Sequence, residues 1–201
     1  MDANFPYPTG YVGQLTSYSP SIASDLDELM RQLGPERPRG HSDEDAWVWV
    51  TQHGGFFQFV AVETLGGTAP RIVATANLSL VRHRYDDTMH PVDMPAYWLG
   101  SFVVHEQYRG KGTAVRLWES MRKFMIRTGA TTLQFTSRPH RTAAHAFYDR
   151  MGARKIGTVR VAMYDAENPS VSSLKNTLRF DAVYEQMAGH LTLVFGARGD
   201  P

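Results

Sequence analysis

The chain has 201 residues, 42% of them hydrophobic and 20% charged, with a formal net charge of +1 and no cysteine. That length and balance predict one globular domain with its own core, and the charge calls for no nucleic-acid or membrane partner. The absence of cysteine excludes a thiol nucleophile, a disulfide framework and thiolate metal sites.

Residues 1–10 carry Pro6 and Pro8 and read as an arm without the pattern of a signal peptide. No apolar run approaches the roughly 20 residues of a membrane span, so a cytoplasmic protein is the simplest expectation. Residues 11–17 alternate weakly, as a short strand does. Ser19, Pro20 and Ser21 form a helix start. Ile22, Leu26, Leu29, Met30 and Leu33 follow at helical spacing, which predicts an amphipathic helix over 21–33, ended by Gly34 and Pro35. A loop over 34–41 follows, and the acids Asp43, Glu44 and Asp45 behind Ser42 predict a second short helix to Gln52.

Gly54 and Gly55 break the chain. Residues 56–63 and 71–82 read as two strands of a hairpin, with Gly66 and Gly67 between them. Residues 83–96 are expected as an irregular connection. The next strand spans 96–105 and holds Gly100, where glycine marks a bulge or a close approach. A helix over 112–128 places Ala114, Leu117, Trp118, Met121 and Met125 on one face, and Gly129 closes it. Residues 131–136 alternate as a strand. Arg138 and Pro139 break it, and 140–151 is helical with Ala144, Phe147, Tyr148 and Met151 on one side. Residues 156–164 read as a strand and 165–173 as a polar loop. Helix and strand compete over 174–188, with helix favoured, and 190–195 alternates as a last strand. Early adjacent strands followed by strand–helix–strand units predict an α/β fold, a central mixed sheet flanked by helices. The expected organisation is one domain over 1–201: arm 1–10, core 11–164 and C-terminal extension 165–201.

The stretch that carries chemistry is Gln107-Tyr108-Arg109-Gly110-Lys111-Gly112-Thr113-Ala114, set between a strand and a helix. It is not a P-loop, because GxxxxGK[ST] is absent, and it lacks the third glycine of a dinucleotide fingerprint. Two overlapping frames, 107–112 and 109–114, fit the pattern Q/R-x-x-G-x-G/A. Glycines there let backbone N–H groups approach a pyrophosphate at a helix N-terminus, and Arg109 and Lys111 add positive charge. The plain alternative is an ordinary surface turn that opens a helix.

A second block supports the first. The run from Val103 to Gly112, the strand Leu133-Gln134-Phe135-Thr136, and the segment Ala144-His145-Ala146-Phe147-Tyr148-Asp149-Arg150-Met151-Gly152-Ala153 together resemble the GNAT superfamily of acyl-CoA N-acyltransferases. The last segment looks like that family's A-x-x-F-Y-x-x-x-G-F helix, with Ala153 where an aromatic is usual. The run Thr136-Ser137-Arg138-Pro139 looks like one branch of these enzymes. The resemblance covers about residues 96–164.

The resemblance implies roles. The amides of 107–114 would bind the pyrophosphate of acetyl-CoA. Phe102, Val103 and Val104 would run alongside its pantetheine arm, and Gly100 would suit the bulge that splays this strand. The plain reading of that strand is core, and both hold together because alternate residues point to opposite faces. Tyr148 is the expected general acid, since acyl transfer from a thioester expels a thiolate that a nearby O–H can protonate. The plain reading makes Tyr148 a core aromatic, and Ser137 is a second donor. The general base stays open. The family often has a carboxylate where this chain reads Ala96-Tyr97-Trp98-Leu99, and Asp93, His90, His105 and Glu106 lie nearby. Arg141 stands where the family often has an asparagine that contacts the cofactor. It or Arg138 is a phosphate candidate, and a solvated surface charge is the alternative. The eight histidines show no metal-ligand spacing, so no metal is expected.

The function these features imply is direct transfer of an acetyl group from acetyl-CoA to a primary amine. The alternative is a non-catalytic acyl-CoA-binding or interaction module on the same fold, for which the missing carboxylate speaks. Acceptor segments in this family correspond to 34–41 and 165–190, where basic and acidic residues mix, so the acceptor stays open. The extension leaves room for a homodimer contact. The net charge argues against nucleic acid, although Arg122, Lys123 and Arg127 leave an aminoacyl-tRNA acceptor open.

Overall fold

In a computed structural model, the structure describes residues 5–33, 55–64, 69–81, 84–85, 91–92, 96–130, 132–164 and 174–187, with backbone alone at 84–85, 91–92, 159–164 and 174–187. The expected loop at 34–41, the short helix at 42–52, the polar loop at 165–173 and the last strand at 190–195 lie outside the described residues. The chain divides into two compact units, Met1–Ser79 with Gly100–Phe124, and Leu80–Leu99 with Met125–Pro201.

In the first unit, helix α1 (Pro20–Arg31) starts where the sequence places a cap. Ser19 is extended and its side chain accepts the Ile22 N–H at 3.3 Å, and Pro20 stands in the first turn. The apolar stripe of α1 is buried: Ile22, Leu26, Leu29 and Met30 pack with Tyr7, Leu15, Val60, Val62, Ile72 and Val103. Full burial of one such side chain stabilises by about 1.5–3 kcal/mol. Tyr7 is buried, and its hydroxyl oxygen accepts the N–H groups of Thr16 and Ser17 at 2.7 and 2.9 Å.

The sheet of this unit runs β1 (Val12–Gln14), β2 (Phe56–Thr64), β3 (Pro70–Val81). The next strand, separated in sequence by two short ones, is β6 (Ala96–Val104), of which 100–104 belong to this unit. β1–β2 and β2–β3 are antiparallel, with Val12 opposite Ala61 and Phe59 opposite Ala76. The period of two puts neighbouring residues on opposite faces. Val60 and Val103 meet the α1 cluster, whereas Phe57 and Phe59 pack on Phe124, and Phe102 packs on Trp118. Phe124 and Trp118 belong to α2 (Thr113–Arg127), so a helix covers each face here.

The irregularity expected at Gly100 is shared by two residues. A Cβ on Gly100 would run into the side-chain carboxamide of Asn77, so glycine here leaves room for that close approach. The left-handed backbone lies one residue later, at Ser101 with φ 52°. A non-glycine residue held there marks a sharp local change in the strand.

In the second unit the first half of β6 pairs in parallel with β7 (Thr132–Ser137), through Tyr97–Leu133 and Trp98–Gln134. Helix α3 is Thr142–Arg150. β8 (Arg154–Tyr164) and β9 (Leu174–Met187) form an antiparallel ladder, and β9 also pairs antiparallel with β7, giving the order β6-β7-β9-β8. One parallel and two antiparallel ladders make the sheet mixed.

Two expectations are corrected. Residues 174–187 form a strand, not a helix. Leu178, Phe180, Ala182 and Tyr184 alternate with Arg179, Asp181 and Glu185, and two flanking ladders reward that period over the competing helical one. The connection at 83–96 is not wholly irregular, because β4 (Arg84–Tyr85) and β5 (Pro91–Val92) pair antiparallel.

Candidate functional site

The glycine-rich stretch opens α2 as expected. Residues Glu106–Tyr108 form a single 3-10 turn after β6. Gly110 and Gly112 have φ 75° and 80°, in the left-handed region that glycine enters without penalty. Nothing lies within 4 Å of a Cβ built on either, so both are required by backbone shape and not by crowding. The Gly112 carbonyl accepts the Arg116 N–H at 3.0 Å, which makes Gly112 the residue from which the helix departs. Two left-handed residues before a helix turn backbone N–H groups toward one side, the geometry of an anion-binding concavity. Thr113 is buried at the first helical position.

The side chains of this turn act mainly as braces. The Arg109 guanidinium donates from Nε to the Val104 carbonyl at 3.0 Å and from a terminal nitrogen to Gln32 Oε1 at 3.0 Å. The sequence suggests phosphate charge for Arg109; the structure shows it tying the turn to the end of β6 and to the residue after α1. The Tyr108 hydroxyl donates to the Thr64 carbonyl at 2.8 Å, and Lys111 Nζ stands 5.3 Å from the centre of the Tyr108 ring. Arg116 pairs with Glu63 at 2.6 Å.

Behind the turn lies a charge network that the sequence does not reveal. Arg71 of β3 binds Asp25 and Glu28 of α1, each at 2.7 Å, and the second Asp25 oxygen accepts the Ile72 N–H at 2.8 Å. Asp25 is buried and fully engaged, as a buried carboxylate must be. The hydrogen bond from Arg71 holds the Glu28 carboxyl below its usual range, and the same bond raises Arg71. His105, at the mouth of the turn, places Nε2 3.9 Å from Glu28, while its Nδ1 accepts the Gln107 N–H at 3.3 Å.

The second group of expected residues lies in the other unit. Ser137 ends β7, buried, and its Oγ is 3.1 Å from His145 Nε2 on α3. Eight residues separate the two, and the strand–turn–helix connection brings them together. Tyr148, on the same helix, is also buried, with its ring 4.5 Å from Phe135 and 5.7 Å from Phe147. The core reading of Tyr148 therefore holds, and a hydroxyl on a buried ring is still a proton donor. Arg141 caps α3 without a side-chain cap bond, and its backbone N–H donates to the Arg138 carbonyl at 3.1 Å. Phe102, Val103 and Val104 sit on β6 immediately before the turn, with Val103 and Val104 buried. Among the described residues no group of three or more His, Asp or Glu could hold a metal ion, and no helix is long and apolar enough to cross a membrane.

Residues 24–153, which include this strand, turn and helix and the following β7 and α3, match the model of the Acetyltransferase (GNAT) family. The chain belongs to the GNAT acetyltransferase family. No curated protein matches it significantly in sequence. Solved structures agree on the GNAT fold at low identity. Arabidopsis thaliana NAA60 in complex with acetyl-CoA aligns with a TM-score of 0.62 at 16% identity, over 89% of this chain and 98% of that one. An aminoglycoside 6'-N-acetyltransferase complexed with coenzyme A aligns with a TM-score of 0.58 at 15% identity, over 89% and 97%. The ribosomal-protein-S18-alanine N-acetyltransferase from Escherichia coli aligns with a TM-score of 0.57 at 16% identity, over 90% and 94%.

Two site features were out of reach of the sequence reading: the His145–Ser137 pair and the network that reaches His105. The first left a signal, a histidine on the helix that follows a serine-ended strand. The second left none, because Arg71 and His105 are far in the chain from Asp25 and Glu28 and from each other.

Proposed function

We propose that this GNAT chain is an acetyl-CoA-dependent N-acetyltransferase that transfers the acetyl group directly to a primary amine. The observation that carries the reading is the turn at 107–114, with Gly110 and Gly112 left-handed and open space where their Cβ atoms would be. Such a turn suits a pyrophosphate held by backbone N–H groups, with Lys111 as the nearby cation. Phe102, Val103 and Val104 would offer backbone groups to the pantetheine amides, and Arg141 would add charge for the phosphates.

In the reaction the neutral amine attacks the thioester carbonyl carbon, forming the C–N bond. The tetrahedral adduct collapses, and the C–S bond breaks. The sulfur leaves with the electron pair and takes the proton of the Tyr148 hydroxyl, while the ammonium proton leaves through water. Tyr148 then regains a proton from solvent. Ser137, paired with His145, is the second donor in this scheme.

The strand segment 96–99 carries no carboxylate, and that observation favours a second reading, a domain that binds acyl-CoA without turnover. One assay separates them: thiol release from acetyl-CoA over a panel of amines, peptides and aminoacyl-tRNA, with wild type and Tyr148→Phe. Turnover on any acceptor, lowered in the variant, supports the enzyme. Binding without turnover across the panel supports the binding domain. Saturating CoA should stabilise the fold by about 2.7 kcal/mol at 100 times Kd, and no thermal shift would remove both readings.

A further inference from the structure

We propose that His105 is a positioning residue for the cofactor turn, holding the Gln107 amide so that the amides after it present their fixed face to a pyrophosphate. The inference rests on the cofactor reading of 107–114.

His105 is anchored through its backbone and one ring nitrogen. Its backbone N–H donates to the Val73 carbonyl at 2.8 Å, and its own carbonyl accepts the Tyr108 N–H at 2.8 Å. Its ring caps the 3-10 turn, with Nδ1 accepting the Gln107 N–H at 3.3 Å. The ring also meets the Tyr108 ring edge-on, with centroids 6.2 Å apart. Only an imidazole without a proton on Nδ1 can accept that amide. The other nitrogen faces a negative charge, since Glu28 Oε1 lies 3.9 Å from Nε2. That distance is beyond hydrogen-bond reach, yet a carboxylate there electrostatically favours the proton on Nε2. Glu28 is in turn oriented by Arg71, whose same terminal nitrogen also binds Asp25. The chain of contacts Asp25–Arg71–Glu28–His105 thus ends on a backbone N–H at the start of the turn. Arg109 braces the middle of the same turn to Val104 and Gln32. The two braces act on either side of Tyr108, and Gly110 and Gly112 follow them.

A side-chain cap of this kind acts on the turn and on nothing beyond it, which gives the test its shape. The full-length wild type, His105→Ala and His105→Asn are titrated with CoA, with 3'-phospho-ADP, which carries the pyrophosphate, and with pantetheine, which lacks it. Asparagine accepts an N–H two residues on in the same way, so it restores the cap without the ring. His105→Ala should weaken CoA and 3'-phospho-ADP about fivefold to tenfold, the range of a lost capping bond. His105→Asn should recover to within about twofold, and pantetheine affinity should not move in any variant. In the wild type, imidazole nitrogen resonances should show the proton on Nε2.

Equal losses for pantetheine and CoA, no loss in His105→Ala, no recovery in His105→Asn, or a proton on Nδ1 would each overturn the proposal. The nitrogen measurement uses wild type alone, so it stands even where a variant folds poorly. Wild type that binds neither CoA nor 3'-phospho-ADP would overturn the cofactor reading, and this inference with it.

Discussion

The turn at 105–113 and the segment at 135–148 are built in opposite ways. The turn is a backbone device. Its shape depends on two left-handed glycines, and its side chains fold back as braces onto Val104, Gln32 and Thr64. The segment at 135–148 is a side-chain device. Phe135, Tyr148, Ser137 and His145 sit on a regular strand and a regular helix, and what matters is which groups those elements bring together. A backbone device fails when φ is denied, and its side chains matter only as far as they brace it. A side-chain device should fail when a single functional group is removed.

The largest effect that tests this difference is at Tyr148. Tyr148→Phe removes one hydroxyl and leaves the buried ring against Phe135. If the hydroxyl protonates the leaving thiolate, kcat should fall about 10²–10⁴-fold with an acceptor that wild type acetylates. CoA affinity should stay within about twofold. A parallel loss of affinity would mean that the ring positions the cofactor, and unchanged turnover would pass the role to Ser137.

The next effect belongs to the turn. Gly112→Ala forces a Cβ into a left-handed residue, which costs of order 1–3 kcal/mol unless the turn relaxes. CoA affinity should drop about tenfold, read by calorimetry, with kcat at saturation nearly unchanged. Gly129→Ala is the control. Gly129 has φ 71° and nothing within 4 Å of its Cβ position, but it closes α2 instead of opening it. It should cost similar stability in urea unfolding and leave CoA affinity alone. Equal affinity losses in both variants would reduce the turn's role to general stability.

The same contrast explains what was legible in the sequence. Glycines and periodicity are local signals, so α1, β2, β3, β6, the turn, α2, β7, α3 and β8 were readable to within a few residues. Gly110 and Gly112 marked the turn in the sequence, and their left-handed backbone is what the structure adds. The strand at 174–187 was not readable as such, since its residues satisfy both periods and the ladders to β7 and β8 decide between them. Ser101 was missed for a related reason: a serine carries no mark of a left-handed backbone. The braces were invisible because they join distant residues, such as Arg109 with Gln32 and Arg71 with Asp25. Local chemistry announces a turn, but what holds it still is a property of the folded chain.

The smallest expected effect concerns those braces and depends on pH. The hydrogen bond from Arg71 lowers the Glu28 pKa, with burial opposing and the nearby positive charges assisting. A carboxyl with a folded pKa below its unfolded value stabilises the fold fully above the unfolded value of about 4.5, and loses that contribution as pH falls through the lowered folded value. The Glu28 side chain is 42% exposed, so solvent screens the pair, and its contribution should stay below about 1 kcal/mol. Urea unfolding of wild type and Glu28→Gln at pH 7 and at about pH 3 reads this directly. The variant should be slightly less stable at pH 7, and the two should converge in acid as wild-type Glu28 takes up its proton. A difference that persists unchanged in acid would assign the loss to packing of the side chain instead of its charge. Convergence would show that Glu28 contributes to the network behind His105 through its charge, weakly, as a screened pair should.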